Sequence, residues 1–452
     1  MTQATISSSA VLLGRGLIVV TLLTGGVALP AVATSPDGDA RSGPDSAAPC
    51  NRACLAKDLR GDLRTYLKAN GSAERISAAG LSVRLPGHRR TIDVSAGTMR
   101  IGGTRPVRST RVWQIGSNTK AFTSVMLLQL EAEHRLSIDD TLGKWLPRYR
   151  QWRGVTIKRL LNMTSGIPSY DNSRAFYRDF AANPHRRFTV RQLVGYAKVG
   201  KPTHGYSYSN TNYILGEMII KRVTHDSYGH QLRTRIIRPL HLHNLHYRPH
   251  RYPAALTRRE PAGYFFNRQL PGLSRLLGRD VSRTTLSWTR GAGGIISTTR
   301  DMTVWEHALY HGRLLPRHQQ SELRSLVSSK TGRPIKHTTP SDPEGFGLGI
   351  AQMTHPEIGR FWFYEGKTLA FRTLHVYLPR SRVIFAMALN SQPTVDHIGD
   401  LAVSVYGTLV AHGVIRPTAR GTAVPEHELQ NPFPDPVGAQ PSCRVVCARF
   451  AC

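Results

Sequence analysis

Acidic side chains are scarce in this chain. Only 29 Asp and Glu stand against 60 Lys and Arg, which leaves a formal charge of +31. A field of that sign draws polyanions, which outside a bacterial membrane means wall polymers, lipopolysaccharide or anionic lipid; the bland alternative is a surface charge that only keeps the chain soluble. The basic residues are spread along the whole length with no interleaved aromatic platform, so nucleic acid is not the expected partner. Cysteine is scarce too, and no C-x-x-C pair occurs, which disfavours a zinc site. A P-loop is excluded as well. The letters "GKT" at Gly366, Lys367 and Thr368 would need a glycine five residues earlier, and Phe361 stands there. There is no internal repeat.

What is present begins with a leader. Residues 1–33 hold one charged residue, Arg15, then "GLIVVTLLTGGVAL", then "PAVA" with small residues at Ala31 and Ala33. That order reads as a secretory signal, and the apolar run is too short for a lasting transmembrane helix. No cysteine follows the cleavage site, which argues against a lipid anchor. The expectation is an exported, periplasmic or wall-associated protein with no transmembrane anchor. Its five cysteines cluster near the ends, Cys50 and Cys54 on one side, Cys443, Cys447 and Cys452 on the other. In an oxidising compartment these read as disulfides with one cysteine left over.

Residues 34–54 are rich in Ser, Pro, Asp and Gly and read as a flexible lead. "LAKDLRGDLRTYLKA" then has helical spacing, and "ISAAGLSVRLPG" and "TIDVSAGTMRIGG" read as two strands joined at Pro86 and Gly87. "KAFTSVMLLQLEAEHRL" is the strongest helix signal. Residues from about 135 to 290 read as a mostly helical subdomain, and "FRTLHVYLP" and "VIFAMALN" as buried strands before a last helix, "IGDLAVSVYGTLVAHGV". Residues 413–452 form a Pro-rich tail. The expected class is α/β, an α+β sandwich: a central antiparallel sheet flanked by helices, interrupted by a helical subdomain.

Two short boxes carry chemistry. "GSNTK" puts Ser117 and Lys120 three residues apart at the start of the strongest helix, so both lie on one face. Serine is a weak nucleophile until a base takes its proton, and a buried lysine can be that base. Alone, S-x-x-K also describes a capping serine with a surface lysine. Further along, "YSN" places Tyr208 and Asn210 two apart, where a phenol can pass protons and an amide can orient the lysine or a substrate carbonyl.

These segments, with "TIKRLLNMTSGIPSYD", "RPLHLHNLHY" and "GAGGIISTTRDM", occur in an order that resembles the serine hydrolase family of class C β-lactamases and DD-carboxypeptidases, from about residue 55 to 412. The resemblance implies an acyl-enzyme on Ser117, with Lys120 as general base, Tyr208 as proton relay, Asn210 positioning the acyl amide, and no metal or organic cofactor. It also implies a third box on a strand lining the cleft. A literal "KTG" at Lys330, Thr331 and Gly332 precedes a loop and is read as a decoy, whereas Tyr364, Glu365 and Gly366 precede the two terminal strands and take the box position. Lys367 then supplies a backbone N–H to an oxyanion hole beside that of Ser117.

This box departs from its relatives, which carry Lys or His first. Tyr364 has no positive charge, Glu365 would repel an anion if it faced the cleft, and Lys367 would either replace the lost charge or project from the other face of the strand. His241, His243 and His246 in "HLHNLH" fall where relatives have a turn and a structural strand, so they are not read as ligands. His204 is read as a loop residue. The resemblance favours a DD-peptidase on cell-wall peptides, then an esterase or amidase on small acyl substrates, then a β-lactamase. The reading from another class is an inactive protein that binds anionic wall polymers.

Overall fold

The computed structural model describes residues 52–270 and 272–416. The leader, most of the lead, the tail beyond residue 416 and every cysteine except Cys54 lie outside the described residues. The first helix, α1 (Arg52–Asn70), already includes residues 52–54, which were expected to belong to the lead. Its buried Leu55, Leu59, Leu63 and Tyr66 recur at helical spacing on one stripe.

Nine strands make the main sheet: β1 (Ala78–Arg84), β2 (Ile92–Gly97), β3 (Leu326–Ser328), β4 (Pro334–Ile335), β5 (Glu344–Phe346), β6 (Ala351–His355), β7 (Gly359–Lys367), β8 (Arg372–Leu378) and β9 (Val383–Leu389). Their order is β2-β1-β9-β8-β7-β6-β5-β3-β4, and every neighbouring pair is antiparallel. The first strand therefore pairs with the last, Ala79 opposite Leu389, which closes the domain across the whole helical insertion. β8 and β9 are buried along their full length, as their unbroken apolar runs predict for strands covered on both faces.

Three further helices fix the layers: α2 (Thr119–Ala132), α3 (Asn210–Thr224) and α4 (Thr299–Tyr310). Helix α2 is buried nearly all round, so it runs through the molecule's interior. It packs beside α3, and its Phe122 ring stacks on Trp305 of α4 at 3.7 Å. Helix α4 contacts β1, β8 and β9 from the same side, while α1 and the last helix, α5 (Ile398–Ala411), pack against each other. A small three-stranded sheet, with Ile295–Ser297 between Trp113–Gln114 and His246–Tyr247, pins the chain just before Ser117.

On the α5 side of the sheet the scarce acids are spent on a buried ion cluster. Arg372 donates to Glu74 at 2.6 Å, to Asp396 and to the Ser391 carbonyl; Tyr66 also donates to Glu74. Lys367, directly opposite Arg372 in the register, lies 3.0 Å from Asp396 and 3.4 Å from Glu365. Burial pushes the Asp396 carboxyl up, yet Arg372 and Lys367 together hold it well below the usual carboxylate range. With a depressed folded value, its contribution is complete above pH about 4 and is lost as pH falls through that lower value. Replacing Glu74 by Gln leaves Arg372 buried with half its counter-charge. Urea unfolding at neutral pH should show a loss of about 3 kcal/mol.

Candidate active site

Ser117 sits in a tight turn, Gly116–Asn118, that runs directly into α2. The N-terminal end of α2 thus points its positive dipole at the nucleophile. Strand β7 passes so close that two glycines are required. A side chain at Gly366 would lie 1.9 Å from the Ile115 carbonyl oxygen, and one at Gly116, whose φ is +49°, would lie 2.6 Å from the Lys367 backbone nitrogen. The box glycine is therefore there for close approach, and it brings the Lys367 backbone beside Ser117.

Lys120 follows three residues on and is fully buried. Its Nζ lies 2.8 Å from Ser117 Oγ, 2.7 Å from Asn210 Oδ1 and 2.9 Å from the Ala292 carbonyl oxygen. Two of these neighbours can only accept. A neutral amine spends its two N–H bonds on them and turns its lone pair to the third, the serine hydroxyl, which can donate. Burial lowers the Lys120 pKa well below the ordinary lysine value, and the Asp171 carboxylate pulls the other way. The site thus holds a buried amine aimed at Ser117.

Tyr208 hydrogen-bonds Ser117, its hydroxyl 2.7 Å from Oγ, and Lys120 Nζ lies 4.9 Å from its ring centroid. One hydroxyl therefore touches both the lysine and the phenol. Asn210 opens α3, and its backbone N–H donates to Ser169 Oγ at 2.8 Å. Its amide is held at both ends: Oδ1 accepts from Lys120 and Nδ2 donates to Asp171 Oδ2 at 2.8 Å. Because a carboxylate accepts only, Asp171 decides which way that amide faces. Of the two roles open to Asn210, orienting the lysine is the one displayed.

Asp171 and Ser169 were missed in the sequence. Asp171 is buried; burial raises its pKa, and hydrogen bonds from Ser169 and Asn210 pull it back. The signal was an acid, in a chain short of acids, inside the "SGIPSYD" segment. Glu217 was missed as well. It accepts from the Gly291 N–H at 2.8 Å and pairs with Arg290 at 2.6 Å, fixing the turn that presents the Ala292 carbonyl to Lys120.

The third box is now decided by the pleat of β7. Tyr364 faces the site, its hydroxyl 3.5 Å from that of Tyr208 and its ring edge-on to Phe346 at 5.6 Å. Burial raises its pKa well above that of an ordinary phenol, so it stays neutral. Glu365 and Lys367 point to the opposite face, into the ion cluster with Asp396. Glu365 does not repel a substrate, and the Lys367 side chain does not replace the missing cation. The Lys330-Thr331-Gly332 sequence lies in the turn between β3 and β4 and packs on Gly205 and Tyr206, away from the strand that passes Ser117. His204 is on an exposed loop. His241, His243 and His246 are not drawn within ligand distance of one another; the one such grouping among the described residues is Cys54, Asp58 and His412.

The profile of the beta-lactamase family matches residues 68–405. The chain belongs to that family. Among curated relatives, a penicillin-binding protein of Bacillus subtilis (strain 168) is 24% identical over 302 residues, 64% of this chain and 63% of its own length. Protein flp of Staphylococcus aureus (strain COL) is 30% identical over 203 residues, 43% of this chain and 38% of its own. The chain thus spans less than two thirds of either relative. Among solved structures, a D-stereospecific amidohydrolase from Streptomyces sp. is 27% identical with a TM-score of 0.65, over 77% of this chain and 98% of that one. A D-amino acid amidase from Ochrobactrum anthropi SV3 shares the fold at 20% identity, with a TM-score of 0.68 over 78% and 99% of the two chains. The family match, with the 27% identical amidohydrolase, makes the chain a β-lactamase-related serine hydrolase.

A pH profile tests the base. Since attack needs neutral Lys120, kcat/KM for an amide substrate should rise as pH climbs through the lowered lysine pKa. The Asp171→Asn variant removes the charge that favours the ammonium, so the acid limb should move to lower pH; an unmoved limb would assign it to another group.

Proposed function

We propose that this protein hydrolyses amide bonds of D-aminoacyl compounds, through an acyl-enzyme on Ser117, with a preference for substrates whose leaving side carries no carboxylate. The observation that carries this reading is Tyr364. It puts a neutral, buried phenol at the box position where the resembling family carries Lys or His, and it lies with Tyr206 and Phe346 in an aromatic group. Such a surface suits an apolar acyl side chain. The 27% identical amidohydrolase from Streptomyces sp., described as D-stereospecific, supports the stereochemistry.

In this reading Lys120 takes the Ser117 proton as Oγ attacks the carbonyl carbon. The backbone N–H groups of Ser117 and Lys367 receive the developing oxyanion. Tyr208, already bonded to Oγ, gives its own phenolic proton to the departing amine; its phenolate afterwards takes one from the attacking water, and Lys120 returns the serine proton to Oγ as the acid leaves. The ordered contacts of Ser117, Lys120, Tyr208 and Asn210 weigh against an idle binding protein. A DD-carboxypeptidase acting on wall peptides is the second reading, supported by the penicillin-binding relative. Export to the envelope, proposed from the leader, suits either substrate.

The test is a comparison of D-phenylalanine amide with a peptide ending in D-Ala-D-Ala, together with intact mass after brief exposure to benzylpenicillin. The amide should turn over at least about tenfold more efficiently by kcat/KM than the free-carboxylate peptide, and Ser117→Ala should lower the rate by about 10⁴-fold or more. Benzylpenicillin should leave the protein unmodified, while Tyr364→His, which restores an ionisable cation, should raise adduct formation by about tenfold. Preference for the peptide together with a stable wild-type adduct would replace this reading with the carboxypeptidase.

A further inference from the structure

The unused histidines of "HLHNLH" lie in a cleft of about 840 Å³ that takes no part in catalysis as described. None of Ser117, Lys120, Tyr208, Asn210 and Tyr364 lines it. Its walls come from the turn Arg233–Ile237, the histidine segment, the short strand His246–Tyr247 and the short helix Ala254–Thr257. Arg233, Arg238, Arg248 and Arg259 line it, and no Asp or Glu does. His241 and His243 add exposed imidazoles at the rim, and His246 lies half-buried within.

We infer that this cleft binds a linear polyanion whose repeating charge is phosphate, through Arg233, Arg238, Arg248 and Arg259. The arginines are not there for internal pairing: Arg233, Arg238 and Arg248 form no ion pair with a carboxylate among the described residues. Arg259 is pinned by bonds to the Thr110 carbonyl at 2.9 Å and to Asn244 Oδ1 at 2.7 Å, so its position is set before any ligand arrives. Asp301 is the nearby carboxylate, and it accepts the Asn244 N–H at 2.7 Å. Burial lowers the His246 pKa, and Arg259, Arg248 and Arg233 depress it further against the pull of Asp301. Four like charges around one opening repel each other, so a ligand that brings negative charge is stabilised by all of them. Guanidinium forks match phosphate oxygens.

The size and surroundings select the polymer. One phosphate fills a small part of 840 Å³, whereas a chain of phosphates can meet several of the arginines at once. The exposed large hydrophobic residues of the described chain are Ile101, Val199 and Val395, and none lies at this cleft. No apolar anchor is therefore in place for entering a lipid surface. This gives four of the 60 basic residues a shared task, and it stands whether or not the catalytic reading does.

The experiment uses the full chain with three probes: polyphosphate about a dozen units long, inorganic phosphate, and phosphatidylglycerol vesicles. Polyphosphate should bind much more tightly than inorganic phosphate, and its binding should weaken as salt rises. Arg233→Gln with Arg248→Gln should weaken it by about tenfold or more, while the equally charged control, Arg89→Gln with Arg90→Gln on the β1–β2 loop, should cost less than about twofold. Arg233→Lys with Arg248→Lys, which keeps the charge, should retain most of the binding, and amide turnover should be unchanged in all three pairs. Equal losses in the two Gln pairs would mean diffuse attraction and would overturn the cleft. So would a loss seen with vesicles and not with polyphosphate, which would point to a lipid headgroup.

Discussion

Everything in the catalytic centre depends on one buried amine. Lys120 has no exposed surface, and a charge in that position would be costly unless fully paired. The protein instead surrounds it with Asn210 Oδ1, the Ala292 carbonyl and the Ser117 hydroxyl, a set that a neutral amine satisfies with two donors and one lone pair. Each of those oxygens comes from a different part of the chain. Asn210 is held by Asp171, and Ala292 lies on the turn that Glu217 holds through Gly291 and Arg290. Asp171, Asn210, Glu217, Arg290 and Ala292 together keep this amine buried and aimed at Ser117.

The sheet supplies the opposite wall, and close approach rather than side-chain chemistry governs it. Gly116 and Gly366 let β7 run against the nucleophile turn at distances no side chain would permit. The alternation of β7 then divides its residues between two tasks. Tyr364 meets the catalytic phenol, while Lys367 contributes its backbone to one side and its ammonium to an ion cluster on the other. In that cluster Arg372 lies beside Lys367 across the register, and both lean on Asp396. The strand that carries the Lys367 N–H is therefore anchored from behind by buried charge.

The distribution of charge has a second consequence. With 29 acids for 60 basic residues, four of the acids, Glu74, Asp171, Glu217 and Asp396, are tied to partners beside or behind the candidate site. Around the histidine cleft, Arg233, Arg238 and Arg248 are left without a carboxylate partner among the described residues.

Much was legible in the sequence because it depended on local pattern. Unbroken apolar runs marked β8, β9 and α2, and the i, i+3 spacing of Ser117 and Lys120 put both on one helical face before any tertiary contact was known. Tyr208 and Asn210 were legible for the same reason. Asp171, Ser169 and Glu217 were not, since each acts through a residue distant along the chain and carries no motif of its own. The orientation of β7 was equally closed to inspection. A strand has two faces, and which one meets the cleft depends on register, so Glu365 and Lys367 could be given their places only by pairing with β8 and the pull of Asp396. The sequence by itself determined that Ser117 and Lys120 share one face at the head of a buried helix, and which runs form the layers around them, because periodicity and short spacing are local properties of the backbone. The tertiary structure alone decided which charges face the substrate, because burial and pairing bring together residues that no spacing connects.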